Sequence, residues 1–204
     1  MKTETYSYKS TARIVGILYI IGTVAGVLST RFIEGNPNAQ RIGALLILTM
    51  GFSLALIPAF MFSVLRKYNE ALGVGYIIFR GALETCMYIV KAVCLLALAS
   101  LGANTALEAI TDSSVGVFAF GVGALIFYIA LYKYKLIPIW LSGFGFTAIL
   151  LHIVSGVLVT FGLQENFDTG SMIMNLPIAV QEMVMAVWLI INGFRNGGMN
   201  DANE

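Results

Sequence analysis

Six runs of about twenty predominantly apolar residues, separated by short polar breaks, leave this chain little choice of solvent. They cover approximately residues 12–30, 42–65, 72–100, 114–132, 138–163 and 172–194. A helix rising 1.5 Å per residue needs about twenty residues to cross a hydrocarbon layer of roughly 30 Å, and each run is of that order. Lipid offers no hydrogen bonds to a backbone, so each run must satisfy its own N–H and C=O groups by becoming helical. The breaks carry turn-forming and basic residues: Glu34-Gly35-Asn36-Pro37, Arg66-Lys67-Tyr68-Asn69, Gly102-Ala103-Asn104, Lys133-Tyr134-Lys135, and Gln164 to Gly170. Only 11% of the residues are charged, against about 25% in soluble domains, and 58% are hydrophobic, more than a soluble fold can cover. The chain therefore reads as an all-α, polytopic transmembrane bundle of six helices. A polar N-terminal segment, 1–11, precedes a single membrane domain, 12–195, and a polar tail, 196–204, follows it.

Cytoplasmic loops of such proteins retain Lys and Arg. Lys2, Lys9, Arg13, Arg66, Lys67, Lys133, Lys135 and Arg195 fall on one side, and Arg31 and Arg41 on the other; Arg80 and Lys91 lie within a span. This bias predicts that both termini are cytoplasmic and that the protein is a multi-pass component of the cytoplasmic membrane. Glu34, Glu108, Asp112, Glu165 and Asp168 fall mostly on the outer side. The segment Ala12 to Ser29 has no A-x-A-like cleavage site at its end, so it is read as a retained first span and not a signal peptide.

Several function classes have no support. The formal net charge is +1 and the basic residues form no stripe, which argues against nucleic-acid partners. Cys86 and Cys94 both lie in the third span, where they are expected to be free thiols behaving as small core hydrophobes. A single histidine, no H-E-x-x-H, no G-x-S-x-G and no phosphate-binding glycine loop leave no metal, cofactor or catalytic residue to assign.

What the composition does not explain is charge at membrane depth. Arg80, Glu84 and Lys91 sit in the third span, and a full charge there costs at least about 2.5–3.5 kcal/mol unless it is paired or faces a protein-lined cavity. Arg80 and Glu84 are four residues apart, on one helix face, and Lys91 is seven beyond Glu84 on the same face. Helix rise puts Arg80 and Glu84 roughly 12 and 18 Å from the cytoplasmic edge, and His152 and Glu182 reach a similar level from the fifth and sixth spans. Four titratable residues from three helices are thus expected in one layer, with Lys91 nearer the outer surface. Gln181, adjacent to Glu182, points elsewhere and should bond a neighbouring helix. A purely structural reading is open too: an intrahelical salt bridge for Arg80 and Glu84, and a core hydrogen bond for His152. The small-residue signals Gly22-x-x-x-Gly26 and Gly121/Gly123 are read as helix-packing material. Pro58 is expected to kink the second span, and Pro138 and Pro177 to sit near helix starts.

Three functions are compatible with this pattern. The leading expectation is a polar, midplane cavity formed by Arg80, Glu84, Lys91, His152 and Glu182 that takes a small ligand, ion or proton, for transport or sensing. An intramembrane lipid-modifying enzyme using the two glutamates as acid and base is the second. A structural or assembly protein without a ligand is the third.

The order and spacing of further residues resemble a family. Ala12-Arg13-x-x-Gly16-x-x-Tyr19, Arg80-x-x-x-Glu84, Ile137-Pro138-x-Trp140-Leu141-Ser142-x-x-Gly145, and Glu182 followed by Trp188-Leu189 and Gly193-Phe194 are similar to the bacterial domain-of-unknown-function 4386 family. The resemblance extends over nearly the whole chain. It implies a small multi-span protein of the bacterial inner membrane and transfers no activity. The position between the proline and the tryptophan is often basic in the family and is Ile139 here, which removes a headgroup contact at that point.

Overall fold

The computed structural model describes residues 2–102, 104–111, 115–165 and 168–195, with the backbone alone over 2–7. The predicted tail, 196–204, and Asp112 lie outside the described residues. Regular structure among them is helical: α1 (Lys2–Ser29), α2 (Pro37–Leu65), α3 (Glu70–Tyr76), a π-helical segment (Ile77–Glu84), α4 (Thr85–Leu101), α5 (Thr105–Thr111), α6 (Val115–Lys133), α7 (Ile139–Thr160) and α8 (Thr169–Ile191). The stretch from α3 to α4 is one span with a π-helical middle, so six helices are long and apolar enough to cross a membrane.

The breaks seen in the sequence work as caps. Asn36 accepts from the backbone N–H groups of Asn38 and Ala39, with Pro37 opening α2. Asn69 accepts from Leu72, and Asp168 accepts from Ser171 at the start of α8. Each satisfies donors that the first turn of a helix leaves without partners.

Each span packs on its neighbours in sequence, and α8 against α1 closes the ring. The third span meets α6 chiefly through α3 and the π segment, while α4 barely touches it. At the end of the ring that carries both termini the centre is filled by buried Val15, Tyr19, Ile57, Met61, Tyr76, Phe127, Tyr128 and Leu131. Towards the other end the buried apolar cluster of Ala44, Ile47, Ala92, Leu95 and Leu98 lies between α2 and α4, to one side of the centre. Outward faces display Val24, Leu45, Phe52, Val93 and Ile173, the surface expected against acyl chains.

α1 is helical from Lys2, and α2 remains helical through Pro58, whose buried ring fits against Gly81; a Cβ there would stand 3.2 Å from Pro58 Cγ. Two sequence expectations are corrected. Pro177 lies inside α8 and not near its start, because the Asp168 cap begins the helix ahead of the apolar run. Cys94 is buried as expected, but Cys86 is exposed. The register through the π segment turns Glu84 and Thr85 inward and leaves Cys86 on the outer face.

Candidate functional site

Arg80 is the hub. It belongs to the π segment, whose i→i+5 hydrogen bonding is rare and tends to occur at functional positions. α6 comes close to this segment because Gly123 has no side chain: a Cβ would stand 3.1 Å from the Arg80 backbone nitrogen. Gly121 likewise faces Ile153 of α7. Both glycines serve the close helix approach read from the sequence.

The guanidinium is 2% exposed and draws carboxylates from two helices. Nη2 donates to Glu182 Oε1 of α8 at 3.1 Å. Nη1 lies 3.4 Å from Glu84 Oε2, an ion pair without hydrogen-bond alignment. The guanidinium also lies 4.5 Å from the Phe120 ring centre and 5.7 Å from that of Tyr19, within the range of cation–π attraction.

Around this core, Tyr88 Oη donates to Glu84 Oε1 at 2.9 Å. His152 shares a 2.7 Å hydrogen bond between Nδ1 and Asn175 Oδ1 and stands edge-on to Phe120. On the side towards the termini, Tyr19 and Tyr76 join hydroxyls at 3.2 Å, and Tyr76 stacks on Phe127. Gln181 does bond other helices: it accepts from Tyr128 Oη and donates to the Leu141 carbonyl.

On the opposite side of Arg80 the bundle is hollow. A cavity of about 460 Å³ reaches Arg80, Glu84, Lys91, His152 and Glu182, together with Phe120 and Tyr88. All five residues singled out in the sequence thus border one space. They do not form one hydrogen-bonded cluster: Arg80, Glu84 and Glu182 are in mutual ion-pair contact through the arginine, His152 is held by Asn175, and Lys91 stands two turns beyond Glu84. Gly22, Gly26, Gly116 and Ala179 are among its lining residues, and Gly22 and Gly26 let α1 approach Leu54 and Met50 of α2.

The polar valences in this layer exceed the bonds made. Arg80 Nε and Nη1, Glu84 Oε2 and His152 Nε2 are buried and make no hydrogen bond with the protein. Leaving a buried donor or acceptor unmade costs about 1–3 kcal/mol each. Glu182 differs from its partners: its side chain is 12% exposed, against 1% for Glu84.

Tyr88, Asn175, Phe120 and the Tyr19–Tyr76 pair were missed in the sequence. Tyr88 carried a signal, since it follows Glu84 by four residues; Asn175 carried another, as an amide inside an apolar run. The aromatic rings carried none, because Phe and Tyr are ordinary material in such helices.

A ring of six apolar helices around a mid-depth arginine bridged to two glutamates defines the chain as a multi-span helical membrane protein with an internal polar site. It belongs to the family described as Domain of unknown function (DUF4386), whose family model matches residues 14–193. No curated protein and no solved structure matches it.

Proposed function

We propose that this protein binds a small ligand, ion or proton in the cavity beside Arg80 and works in transport or sensing across the bacterial inner membrane, with both termini cytoplasmic. One observation carries the reading: buried polar atoms of Arg80, Glu84 and His152, residues that border a 460 Å³ hollow, make no hydrogen bond. A cluster that served only to lock helices would use all its valences. Here the guanidinium holds the two carboxylates in place, Glu182 meets the occupant first, and Lys91 sets the potential further out. The apolar walls suit a solute that sheds its water on entry.

Access distinguishes this from a sealed structural core. In a Cys86→Ser/Cys94→Ala background, Ala179→Cys on the cavity wall and Ile129→Cys on the outer face are treated with a charged, membrane-impermeant thiol reagent in vesicles. Rapid modification of Ala179→Cys with an inert Ile129→Cys is the expected result. Equal inertness at both positions would make the cluster a helix lock and favour the assembly role.

A further inference from the structure

A second hollow lies at the end of the bundle where the chain begins and ends, away from Arg80. α8 stops at Ile191, and Gly193 takes φ +73°, a left-handed conformation that suits glycine after a helix. Its N–H donates to the Leu189 carbonyl at 3.1 Å, and Arg195 N–H then donates to the Leu136 carbonyl in the α6–α7 turn at 2.9 Å. This fold-back sets Phe194 and Arg195 over a space of about 220 Å³ beside Lys9 of α1 and Lys67 of the α2–α3 turn.

Three cations from three separate parts of the chain border that space, and among the described residues no carboxylate lines it. The remaining walls suit an anion's apolar attachment: Tyr8, whose ring centre is 4.6 Å from Lys67 Nζ, Val64, Leu136 and Phe194 line the space. A positive-inside bias puts basic residues at this end in general, but it does not gather them around a hollow. The space is smaller than the roughly 300–1,000 Å³ of sites for drug-sized ligands. It sits at the polar edge of the spans, the level of lipid headgroups, where basic pockets between helices bind anionic heads.

We propose that this hollow is an anion site for a phosphate group, presented by an anionic lipid headgroup or by a phosphate-bearing solute. Lys9, Lys67 and Arg195 supply the charge, and the Gly193 turn positions the last of them.

The test uses the full chain purified in a neutral detergent, with thermal stability followed against added phosphatidylglycerol, phosphatidylcholine or inorganic phosphate. A response to phosphatidylglycerol alone assigns the site to lipid, and a response to inorganic phosphate that competes with it assigns the site to a solute. A Lys9→Gln/Lys67→Gln/Arg195→Gln variant is expected to weaken the response about fivefold per cation removed. A control of equal charge change outside the hollow, Arg66→Gln/Lys133→Gln/Lys135→Gln, is expected to weaken the response clearly less than the site variant. Should the glutamine variant fail to fold, Lys9→Ala and Lys67→Ala singly must each weaken the response. Equal losses in both triple variants, or no preference for phosphatidylglycerol or phosphate over phosphatidylcholine, would overturn the site.

Discussion

The two halves of the ring, divided at Arg80, solve the same packing problem in opposite ways. Towards the termini the centre is filled by Tyr19, Tyr76, Phe127 and Tyr128, with hydroxyls bonded in pairs or to Gln181. Away from the termini Gly22, Gly26, Gly116 and Ala179 are among the residues that border the cavity, and the centre stays open. The same helices build both halves, but α4 barely meets α6 at the open end, so helix separation and side-chain volume together decide which half is solid. The arginine sits at the boundary because it needs both environments: rings and carboxylates to hold its charge, and open space for the valences that the protein leaves unused.

The sharpest way to break this comparison is to remove the boundary. Arg80→Ala strands two carboxylates in the core, and the loss of one side of a buried ion pair costs about 3–5 kcal/mol. For a chain of this size the expected fall in Tm is of the order of 10 °C by thermal unfolding in detergent. Adding Glu182→Gln to Arg80→Ala should recover part of it by removing one uncompensated charge. A fall of only a degree or two would mean that the layer does not hold the halves together.

A matched pair of glycines sharpens the contrast. At Gly145, in the solid half, a Cβ would run into the Tyr128 ring, so Gly145→Ala should cost about 1–3 kcal/mol as overpacking. At Gly116, in the open half, the nearest side-chain atom to a new Cβ is Met87 Cβ at 3.7 Å, an ordinary contact. Gly116→Ala should therefore stabilise by about 0.5–1 kcal/mol through the lost freedom of the unfolded chain. The opposite signs are read from paired melting curves; equal costs would remove the distinction between a solid and an open half.

The smallest effect lies outside the lipid. The backbone N–H of Ser171 at 2.6 Å holds the Asp168 carboxyl below the usual carboxylate range, with help from the Ser171 side chain and Gln164. A carboxyl lowered in the folded state contributes stability above its unfolded pKa of about 3.9, and that stability is lost as the pH falls through the folded value. Melting temperature should drop slightly at the acid end in the native chain, and Asp168→Ala should remove that part of the pH dependence while lowering Tm at neutral pH.

Much of the architecture was legible because lipid imposes it residue by residue. Six apolar runs, their asparagine and aspartate caps, and the ionisable residues within them follow from local rules, as does the expectation that Arg80, Glu84, His152 and Glu182 share a level. Cys86 was misread because its facing depends on the register of the π segment, and the apolar pattern of Ile77 to Leu83 does not distinguish a π turn from an α turn.

The amino-acid order alone settled that this chain lives in a membrane as helices and that charge would be carried to its middle, since water-to-lipid transfer depends on composition and length. Which carboxylate Arg80 grips more closely, that Tyr88 and Asn175 join the layer, and that one half of the ring is hollow were settled only in three dimensions. Those outcomes depend on distances between helices and on the volumes that meet across the bundle centre.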